Sequence, residues 1–264
     1  MPANKLKLSI VTVNLNNVAG LKLTLDSVAS QTYRDFEYIV IDGGSKDGSL
    51  DLIEKHTERI NYFISQPDSG VYQAMNKGIK NASGEYLLFL NSGDHLANEH
   101  LIAEVVNELT EIDIIYGNLF LIENESKSWT AVYPPVLSFQ YFMEWSLPHP
   151  GSFIKRSVFV MVGFYDETLK IVSDWKFFMD AICRYNVSYK HIDKTIAIFY
   201  LDGLSSLVKN ESILQNEKSA ILQKNYPMFI ENSHELEKLR TFKKHRIVTI
   251  FIKFANFFRL LKEY

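Results

Sequence analysis

The sequence predicts an α/β protein: a doubly wound, mostly parallel sheet flanked by helices, followed by a C-terminal helical tail. Short, continuous apolar runs rich in β-branched residues alternate with segments in which apolar residues recur at helical spacing. The segments between successive apolar runs are long enough for the crossover helices that parallel strands require. The chain has 264 residues and is 47% hydrophobic, so it can bury the core of one large domain without disulfide or metal support.

The first half of the chain supplies four predicted strands and the helices between them. Residues 8–13 (LSIVTV) form a mostly apolar, β-branched run, as expected of a strand buried on both faces. Residues 21–31 then carry leucine and valine at helical spacing. The remaining elements are predicted on the same grounds: strands over 38–41, 60–65 and 86–90, helices over 50–60 and 71–81, and a turn at 67–70.

The pattern changes after about residue 110. A strand is expected over 113–122 with Gly117 inside it, and residues 129–150 are rich in aromatic residues and proline. This less regular stretch suits the half of a domain that faces a substrate. We therefore expect one continuous domain over 1–210 and a helical tail over 211–264.

Composition excludes several classes of protein. The net charge of −3 argues against a nucleic-acid binder, which would usually carry a basic excess. A single cysteine, Cys183, rules out a disulfide framework and a thiolate-clustered metal site within the chain. The first apolar run is too short for a signal peptide and no run is long enough to span a membrane, so we expect a cytoplasmic protein.

Polar segments follow three of the predicted strands directly, at residues 14–16, 42–47 and 91–94. In doubly wound sheets, ligands bind at the carboxyl ends of the strands, near the point where the strand order reverses. This coincidence predicts a binding site at that edge of the sheet.

The segment 42–49 (DGGSKDGS) lacks both the ending of a P-loop and the spacing of a dinucleotide fingerprint. Its glycines permit close approach of a ligand to the backbone, and Asp42 can accept hydrogen bonds from a base or a ribose. A turn that leads into a capped helix explains the same residues.

Asp94, three residues beyond a predicted interior strand, is the candidate metal ligand. Mg²⁺ and Mn²⁺ favour carboxylate, water and phosphate oxygens. One carboxylate holds such an ion weakly, so the phosphates of a bound ligand would have to complete its coordination shell. A structural role at the start of the next helix is the alternative.

Asp174 and His149 are further candidates for chemistry. Asp174 precedes an amphipathic stretch, where it is either a helix N-cap or, if it projects into the pocket, a general base. His149 stands between two prolines and is more typical of a structural or hydrogen-bonding histidine than of a catalyst. The sequence contains neither a Gly-x-Ser-x-Gly elbow nor histidines at zinc-ligand spacing.

Several ordered blocks together resemble glycosyltransferase family 2. They are residues 8–14 (LSIVTVN), 41–49 (IDGGSKDGS), 68–78 (DSGVYQAMNKG), 84–94 (GEYLLFLNSGD) and 148–156 (PHPGSFIKR). The resemblance implies a GT-A fold, in which a nucleotide-sugar-binding half, about 6–110, joins an acceptor-binding half, about 111–210. It also implies transfer of a sugar from a nucleotide diphosphate donor with inversion at the anomeric carbon.

The resemblance further implies roles for individual residues. Asp174 corresponds to the catalytic base, and Asp94 corresponds to the metal-binding acid of the family's Asp-x-Asp element, with Mg²⁺ or Mn²⁺ as cofactor. The implied nucleotide-sugar-binding residues are Thr12, Asn14, Asp42, Asp68, Lys77, Asn91, Ser92 and Gly93. The expected contacts with the acceptor or with phosphate are His149, Arg156 and Trp175.

The sequence departs from the family pattern at two positions. The Asp-x-Asp element stands as Asn91-Ser92-Gly93-Asp94, which leaves one carboxylate, and Gln73 stands where related sequences often have Asp. The Asn-Ser-Gly-Asp form resembles a subgroup associated with bacterial surface polysaccharide and lipopolysaccharide assembly. The implied partners are a nucleotide diphosphate donor, UDP-linked by default, that carries a hexose or N-acetylhexosamine, and a saccharide or polyprenyl-linked acceptor, with no nucleic acid.

Residues 241–264 are basic and aromatic. Apolar residues recur at helical spacing from 247 to 261, but charged residues interrupt them, so the segment would lie in a membrane interface rather than span it. Its cations favour anionic lipid and predict peripheral attachment to the inner face of the cell membrane. A terminal helix packed on the core or on a second subunit explains the same pattern.

Two other functions stay open on the sequence alone. One is a non-catalytic nucleotide-sugar or carbohydrate-binding module of the same fold, although the presence of both Asp94 and Asp174 argues against it. The other is a nucleotidyltransferase, although the chain has no Gly-rich, basic phosphate loop after its first strand.

Overall fold

The computed structural model describes residues 6–201 and 210–230. The predicted α/β class is confirmed, since helices pack on both faces of one sheet. The chain divides into two compact units, Met1–Gln215 and Asn216–Tyr264, and the site lies in the first. The predicted amphipathic stretch within 241–264 lies outside the described residues.

The elements of the described ranges follow the predicted alternation. The strands are β1 (Leu8–Asn14), β2 (Glu37–Asp42), β3 (Tyr62–Ser65), β4 (Tyr86–Phe89), β5 (His95–Leu96), β6 (Ile114–Asn124), β7 (Lys127–Ala131), β8 (Ser152–Lys155) and β9 (Tyr189–Tyr200). The α-helices are α1 (Val18–Ala29), α2 (Ser49–Lys55), α3 (Val71–Asn81), α4 (Leu101–Val105), α5 (Phe139–Glu144), α6 (Arg156–Val162), α7 (Ser173–Met179) and α8 (Glu211–Asn225). A π-helical segment, Asp180–Arg184, continues α7.

The first four strands are parallel and lie in the order β3-β2-β1-β4. The chain builds outward from β1 to β3, then crosses to the other side of β1 to form β4. The strand order therefore reverses between β1 and β4. The crevice outside the carboxyl ends of these two strands is where a sheet of this kind binds ligands.

Helices cover both faces of this parallel part. Leu8 and Ile10 of β1 belong to one buried cluster with Leu21 and Leu25 of α1. On the alternate position of β1, Val11 contacts α3 so closely that a Cβ on Gly78 would lie 2.4 Å from its Cγ1. Every residue of β1 is buried, which explains why its sequence lacks the alternation of a half-exposed strand.

The second half of the sheet mixes strand directions. β8 is antiparallel to β4 and to β6, whereas β9 runs parallel to β6 along most of its length. The register between β6 and β9 shifts around Gly117, where a Cβ would lie 2.5 Å from the Lys194 carbonyl oxygen. The glycine expected inside this strand thus permits close approach of the neighbouring backbone.

The end of α2 differs most from the sequence prediction. α2 ends at Lys55 rather than near residue 60, and β3 begins at Tyr62. Residues 56–60 form successive turns, in which the amide of Arg59 donates to the carbonyl of His56. The polar residues of this stretch have no apolar face to bury, so the helical pattern does not continue through it.

Candidate active site

The predicted polar segments converge at one edge of the sheet. Because β1, β2 and β4 are parallel, their carboxyl ends lie side by side, and residues 14–16, 42–47 and 91–94 follow them there. Asn14 and Asp42 are direct neighbours in the β1–β2 register. The three segments form one continuous rim at the point where the strand order reverses.

Asp42 organises the loop that follows β2. Its side chain is fully buried, and Oδ1 accepts hydrogen bonds from Asn14 Nδ2 (2.8 Å) and Ser45 Oγ (2.6 Å). Oδ2 accepts from the Gly44 and Ser45 amides and from the Ser65 hydroxyl. Burial alone would raise the pKa of Asp42, but these hydrogen bonds outweigh it and the pKa is lowered. Asp42 is therefore an anion whose oxygens are already engaged.

Thr12 lies equally deep. It is fully buried, and its hydroxyl lies 3.0 Å from Tyr38 Oη. Thr12 thus lies beneath the rim and contacts β2, whereas Asp42 supports the loop after β2. Their direct contact with a nucleotide stays a prediction, and it requires one of these hydrogen bonds to open.

Asp68 and Lys77 lie beside the same loop. A Cβ on Gly43 would lie 2.7 Å from Asp68 Oδ2, so the carboxylate rests against the glycine backbone. Gly44 has a φ of +82° and packs against Pro67, whose carbonyl accepts a hydrogen bond from Lys77 Nζ at 3.4 Å. The structure thus brings both predicted donor-side residues to the rim.

The turn that carries Asp94 is fastened to α1. The Thr24 hydroxyl donates to the Asp94 carbonyl (2.7 Å) and accepts from the Gly93 amide (3.0 Å). Asn17, the N-cap of α1, donates through Nδ2 to the Ser92 carbonyl at 3.0 Å. These contacts from α1 place the predicted residues 91–94 against the amino end of that helix.

His149 lies between the two predicted carboxylates. Its Nε2 is 3.9 Å from Asp94 Oδ2 and 3.1 Å from Asn91 Nδ2, while its Nδ1 is 3.5 Å from Asp174 Oδ2. The three charged side chains are only 18%, 9% and 20% exposed for His149, Asp94 and Asp174, respectively. The structure thus brings Asp94 and Asp174 to opposite nitrogens of one imidazole.

The carboxylates and the imidazole influence one another's charge. Burial would lower the pKa of His149, but the hydrogen bond and charge of Asp174, with the charge of Asp94, outweigh burial and raise it. Burial would raise the pKa of Asp174, but His149, Tyr72 and the Trp175 amide outweigh burial and lower it. Asp174 is therefore held as a carboxylate, and the two carboxylates shift the pKa of the imidazole between them upward.

Tyr72 is a site residue that sequence reasoning missed. Its hydroxyl lies 2.9 Å from Asp174 Oδ1, the carboxylate oxygen that His149 does not contact. The two residues are 102 positions apart, and no local pattern predicts their contact. The sequence feature that could have indicated Tyr72 is its position within residues 68–78, one of the segments that resemble the family.

A hydrogen-bond network joins α3 to the loop that precedes α7. Asn76 is buried; its Nδ2 donates to the Tyr165 carbonyl (2.9 Å) and to Glu167 Oε1 (2.8 Å), and its Oδ1 accepts from the Tyr165 amide (3.0 Å). Gln73 Nε2 donates to Glu167 Oε2 at 3.1 Å. Gln73, one of the two departures from the family pattern, therefore helps to hold the loop that leads to Asp174.

A protein-family model described as Glycosyl transferase family 2 matches residues 9–179. This chain belongs to glycosyl transferase family 2. Among its relatives, a PGL/p-HBAD biosynthesis glycosyltransferase of Mycobacterium tuberculosis is 28% identical over 214 residues, which cover 78% of this chain and 82% of the relative. The chain is a glycosyltransferase, as the sequence predicted.

Solved structures of glycosyltransferases share its GT-A fold. Staphylococcus aureus TarS 1–349, determined with UDP and with UDP-GlcNAc, matches with a TM-score of 0.61, and the complex with UDP is 21% identical. That match covers 74% of this chain and 60% of the TarS fragment. The Pyrobaculum calidifontis mannosyltransferase PcManGT, in complex with GDP-Man and Mn²⁺, matches with a TM-score of 0.56 and 12% identity over 96% of this chain and 80% of the neighbour.

The residues of the rim fit the Mg²⁺ or Mn²⁺ ion that the family resemblance implies. Asp94 supplies a carboxylate, and the side-chain carbonyl oxygen of Asn91 is buried without a hydrogen-bond partner in the described part of the chain. Hard divalent cations prefer oxygen ligands of these kinds. Within residues 6–201 and 210–230, no group of three or more His, Cys, Asp or Glu could hold a metal, so diphosphate oxygens would have to complete the shell.

The backbone of Arg156 lies away from the rim, so the structure does not favour its expected contact with acceptor or phosphate. β8 runs antiparallel to β4 and carries the chain from the rim at His149 toward the opposite edge of the sheet, a path of about 13 Å for four residues. The Arg156 amide donates to the carbonyl of Glu85, just before the amino end of β4.

The structure does not favour the expected contact of Trp175 with the acceptor either. Its side chain is 2% exposed, and its indole N–H donates to the Phe142 carbonyl of α5 at 2.6 Å. It fixes α7 against α5 within the core. The N-cap interpretation of Asp174 fails as well, because Val172 is the N-cap of α7 and the Asp174 carboxylate contacts His149 and Tyr72 instead.

None of the described helices is both long and apolar enough to cross a bilayer. The membrane-attachment prediction rests on residues 241–264, which lie outside the described ranges, so it stays a prediction.

Proposed function

We propose that the chain is an inverting enzyme that moves a hexose or N-acetylhexosamine from a UDP-sugar to a hydroxyl of a saccharide or lipid-linked saccharide in bacterial surface glycan assembly. The observation that carries the proposal is the pair of carboxylates, Asp94 and Asp174, on opposite nitrogens of His149. The pair lies in the crevice where the strand order reverses.

The donor occupies the rim after β1, β2 and β4 in this proposal. Asp68 and Lys77 contact the donor, and the backbone of the loop after Asp42 supports the nucleotide. UDP is favoured because TarS, a neighbour of the same fold, was determined with UDP and UDP-GlcNAc. Another neighbour, PcManGT, was determined with GDP-Man, so turnover of a GDP-sugar instead of a UDP-sugar would correct this choice.

Asp174 acts as the base. Its lowered pKa keeps it ionised at neutral pH, so it can take the proton of the acceptor hydroxyl. The acceptor oxygen then forms a bond to the anomeric carbon while the bond from that carbon to the diphosphate oxygen breaks. A single displacement inverts the centre and needs no covalent nucleophile.

Asp94 and the side-chain oxygen of Asn91 would hold the divalent cation. When bound, that ion neutralises the charge that develops on the departing diphosphate. His149 keeps the two carboxylates apart and separates the leaving-group side of the cleft from the base. Hydrogen bonds from Thr24 and Asn17 fix the turn that aims Asp94 at this side.

The experiment that tests this assignment compares Asp174→Asn with Asp94→Asn. Binding of UDP-GlcNAc and of UDP is measured by calorimetry with Mn²⁺, and release of the nucleoside diphosphate, UDP or GDP, is measured across a panel of UDP- and GDP-sugars. We expect Asp174→Asn to lose turnover by about 10³-fold with donor affinity within about two-fold. Asp94→Asn should weaken Mn²⁺-dependent donor binding as well as turnover.

Asp180→Asn serves as the matched control, since Asp180 is also a buried aspartate, directly after α7, but pairs with Lys176. Equal loss of binding and turnover in Asp174→Asn would contradict the base role. Release of sugar with retained configuration, seen by proton NMR, would contradict the inverting mechanism.

A further inference from the structure

Tyr72 contacts the oxygen of the Asp174 carboxylate that His149 does not contact. Its hydroxyl lies 2.9 Å from Asp174 Oδ1 and 2.5 Å from the Ile171 carbonyl oxygen. The side chain is 6% exposed, so water does not compete freely for these contacts. One hydroxyl hydrogen therefore serves two acceptors, both at the start of α7.

We propose that Tyr72 is a positioning residue that keeps the Asp174 carboxyl in one orientation before and after it takes the acceptor's proton. The inference rests on the proposed role of Asp174 as the base. It assigns to Tyr72 no contact with substrate.

The two acceptors let Tyr72 match both protonation states of Asp174. While the carboxylate is ionised, the Tyr72 hydroxyl donates to Oδ1. If the proton arrives on Asp174 Oδ2, that bond persists; if it arrives on Oδ1, the new carboxyl O–H donates to Tyr72 Oη and the tyrosine hydrogen turns to the Ile171 carbonyl. In either case Asp174 Oδ1 keeps Tyr72 as its hydrogen-bond partner, so this buried oxygen is not left unpaired, which would otherwise oppose the transfer.

Tyr72 remains a neutral donor throughout the working pH range. Burial, and after it the charge of Asp174, raises the pKa of Tyr72 well above its usual value. The other titratable groups that bear on Asp174 are His149, on its second oxygen, and Tyr165. Asp94 acts through the far nitrogen of His149.

Helix α3 gives Tyr72 a rigid base. The helix packs on β1 at Gly78 and Val11, and Asn76 binds it to the loop before α7. The same helix carries Lys77 at the donor side of the rim. A single element thus sets the position of the base relative to the donor.

Tyr165 provides a matched control. It is 3% exposed, its ring lies 5.8 Å from that of Tyr72, and its hydroxyl is buried without a hydrogen-bond partner in the described part of the chain. Tyr72→Phe and Tyr165→Phe therefore delete the same atom at neighbouring buried sites. Only the first deletion removes a hydrogen bond to Asp174.

The first measurement follows the Asp174 carboxyl carbon by ¹³C NMR during a pH titration, with Asp174→Asn assigning the signal. Since a hydrogen bond to the ionised form lowers a carboxyl pKa, Tyr72→Phe should raise the apparent pKa of Asp174 by about one unit. Tyr165→Phe should shift it by less than about 0.3 unit. An unchanged titration in Tyr72→Phe would overturn the proposal.

The second measurement is the kinetics of UDP release from the nucleotide sugar that the parent turns over fastest. Tyr72→Phe should lower kcat about ten-fold or more, leave the donor KM within about two-fold, and move the acid limb of the pH profile upward. Tyr165→Phe should leave kcat, the donor KM and the acid limb of the pH profile close to those of the parent. A Tyr72→Phe enzyme that loses only thermal stability would show a structural role alone and overturn the inference.

The two proposals fail in different ways. Full turnover in Asp174→Asn would remove the base role, whatever the titration shows for Tyr72. A catalytically dead Asp174→Asn together with an unchanged Tyr72→Phe would leave the proposed function standing and remove the positioning role.

Discussion

Thr24→Val is expected to loosen the turn that carries Asp94. The Thr24 side chain is fully buried, and its hydroxyl joins the Asp94 carbonyl at 2.7 Å to the Gly93 amide at 3.0 Å. Valine has nearly the same shape but can make neither hydrogen bond. The substitution therefore removes polar contacts without opening a cavity.

The expected loss of stability follows from the burial of the Asp94 carbonyl and of the Gly93 amide. Asp94 is buried, so its carbonyl loses a donor that water cannot readily replace, at a cost of about 1–3 kcal/mol. Gly93 is half-buried, and water can take part of its contact, so we add about 0.5–1 kcal/mol. The sum of about 1.5–4 kcal/mol corresponds to a fall in Tm of roughly 3–16 °C for a domain of this size.

The functional effect should appear in cation dependence. Residues that orient a metal ligand commonly change metal affinity about 10- to 100-fold when removed, so half-activation by Mn²⁺ should need about ten-fold more metal. Calorimetry gives Tm, and UDP release as a function of Mn²⁺ concentration gives the metal concentration needed for half-activation. Thr24→Ser retains the hydroxyl and should stay close to the parent. A Thr24→Val enzyme with unchanged Tm and unchanged half-activation would refute this reasoning.

Three further outcomes are expected. Arg156→Ala should leave kcat and the donor KM within about two-fold, because Arg156 lies away from the rim; a large loss in steady-state kinetics would contradict that placement. Gln73→Glu should lower the Tm by about 2–5 °C in thermal denaturation, because it sets a second carboxylate against Glu167, and no change would show that the contact is unimportant. The raised pKa of His149 stabilises the fold below about pH 6.5, and this stabilisation is lost as the pH rises through the raised pKa. The lowered pKa of Asp174 stabilises the fold above about pH 3.8, and this second stabilisation is lost as the pH falls through the lowered pKa. The fall in Tm between about pH 6 and 8 should therefore be smaller in Asp174→Asn, and an equal slope would contradict the pairing.

The parallel half of the fold was predictable because its strands are buried on both faces. Continuous apolar runs such as residues 8–13 can bury all their side chains only in a sheet covered by helices on each side. The direction of those strands then placed Asn14, Asp42 and Asp94 at one edge. The location of the site followed from this rule, before any contact between side chains was known.

The structure does not favour the predicted roles of Arg156 and Trp175, and both cases depend on the direction that the chain takes in the fold. A sequence does not reveal that β8 is antiparallel to β4, and this reversal carries Arg156 away from His149 within a few residues. Trp175 neighbours Asp174 in sequence, but successive residues of a helix point about 100° apart, and its indole turns into the core.

The supporting contacts could not be predicted from local pattern at all. Thr24 reaches Asp94 across 70 positions, and Tyr72 reaches Asp174 across 102. Each looks like an ordinary helix residue on its own segment. Their roles follow from the packing of α1 and α3 on the two faces of the sheet, which brings distant segments together at the rim.

The account depends most on a donor whose diphosphate lies at Asp94 and whose anomeric carbon faces Asp174. A crystal structure of Asp174→Asn with UDP-GlcNAc and Mn²⁺ tests this directly, because the variant should bind the donor without turning it over. We expect the cation on Asp94 and the diphosphate, with the residue 174 side chain facing the anomeric carbon from the side opposite the leaving group. A donor bound with its diphosphate away from Asp94, or with residue 174 on the leaving-group side, would contradict the account.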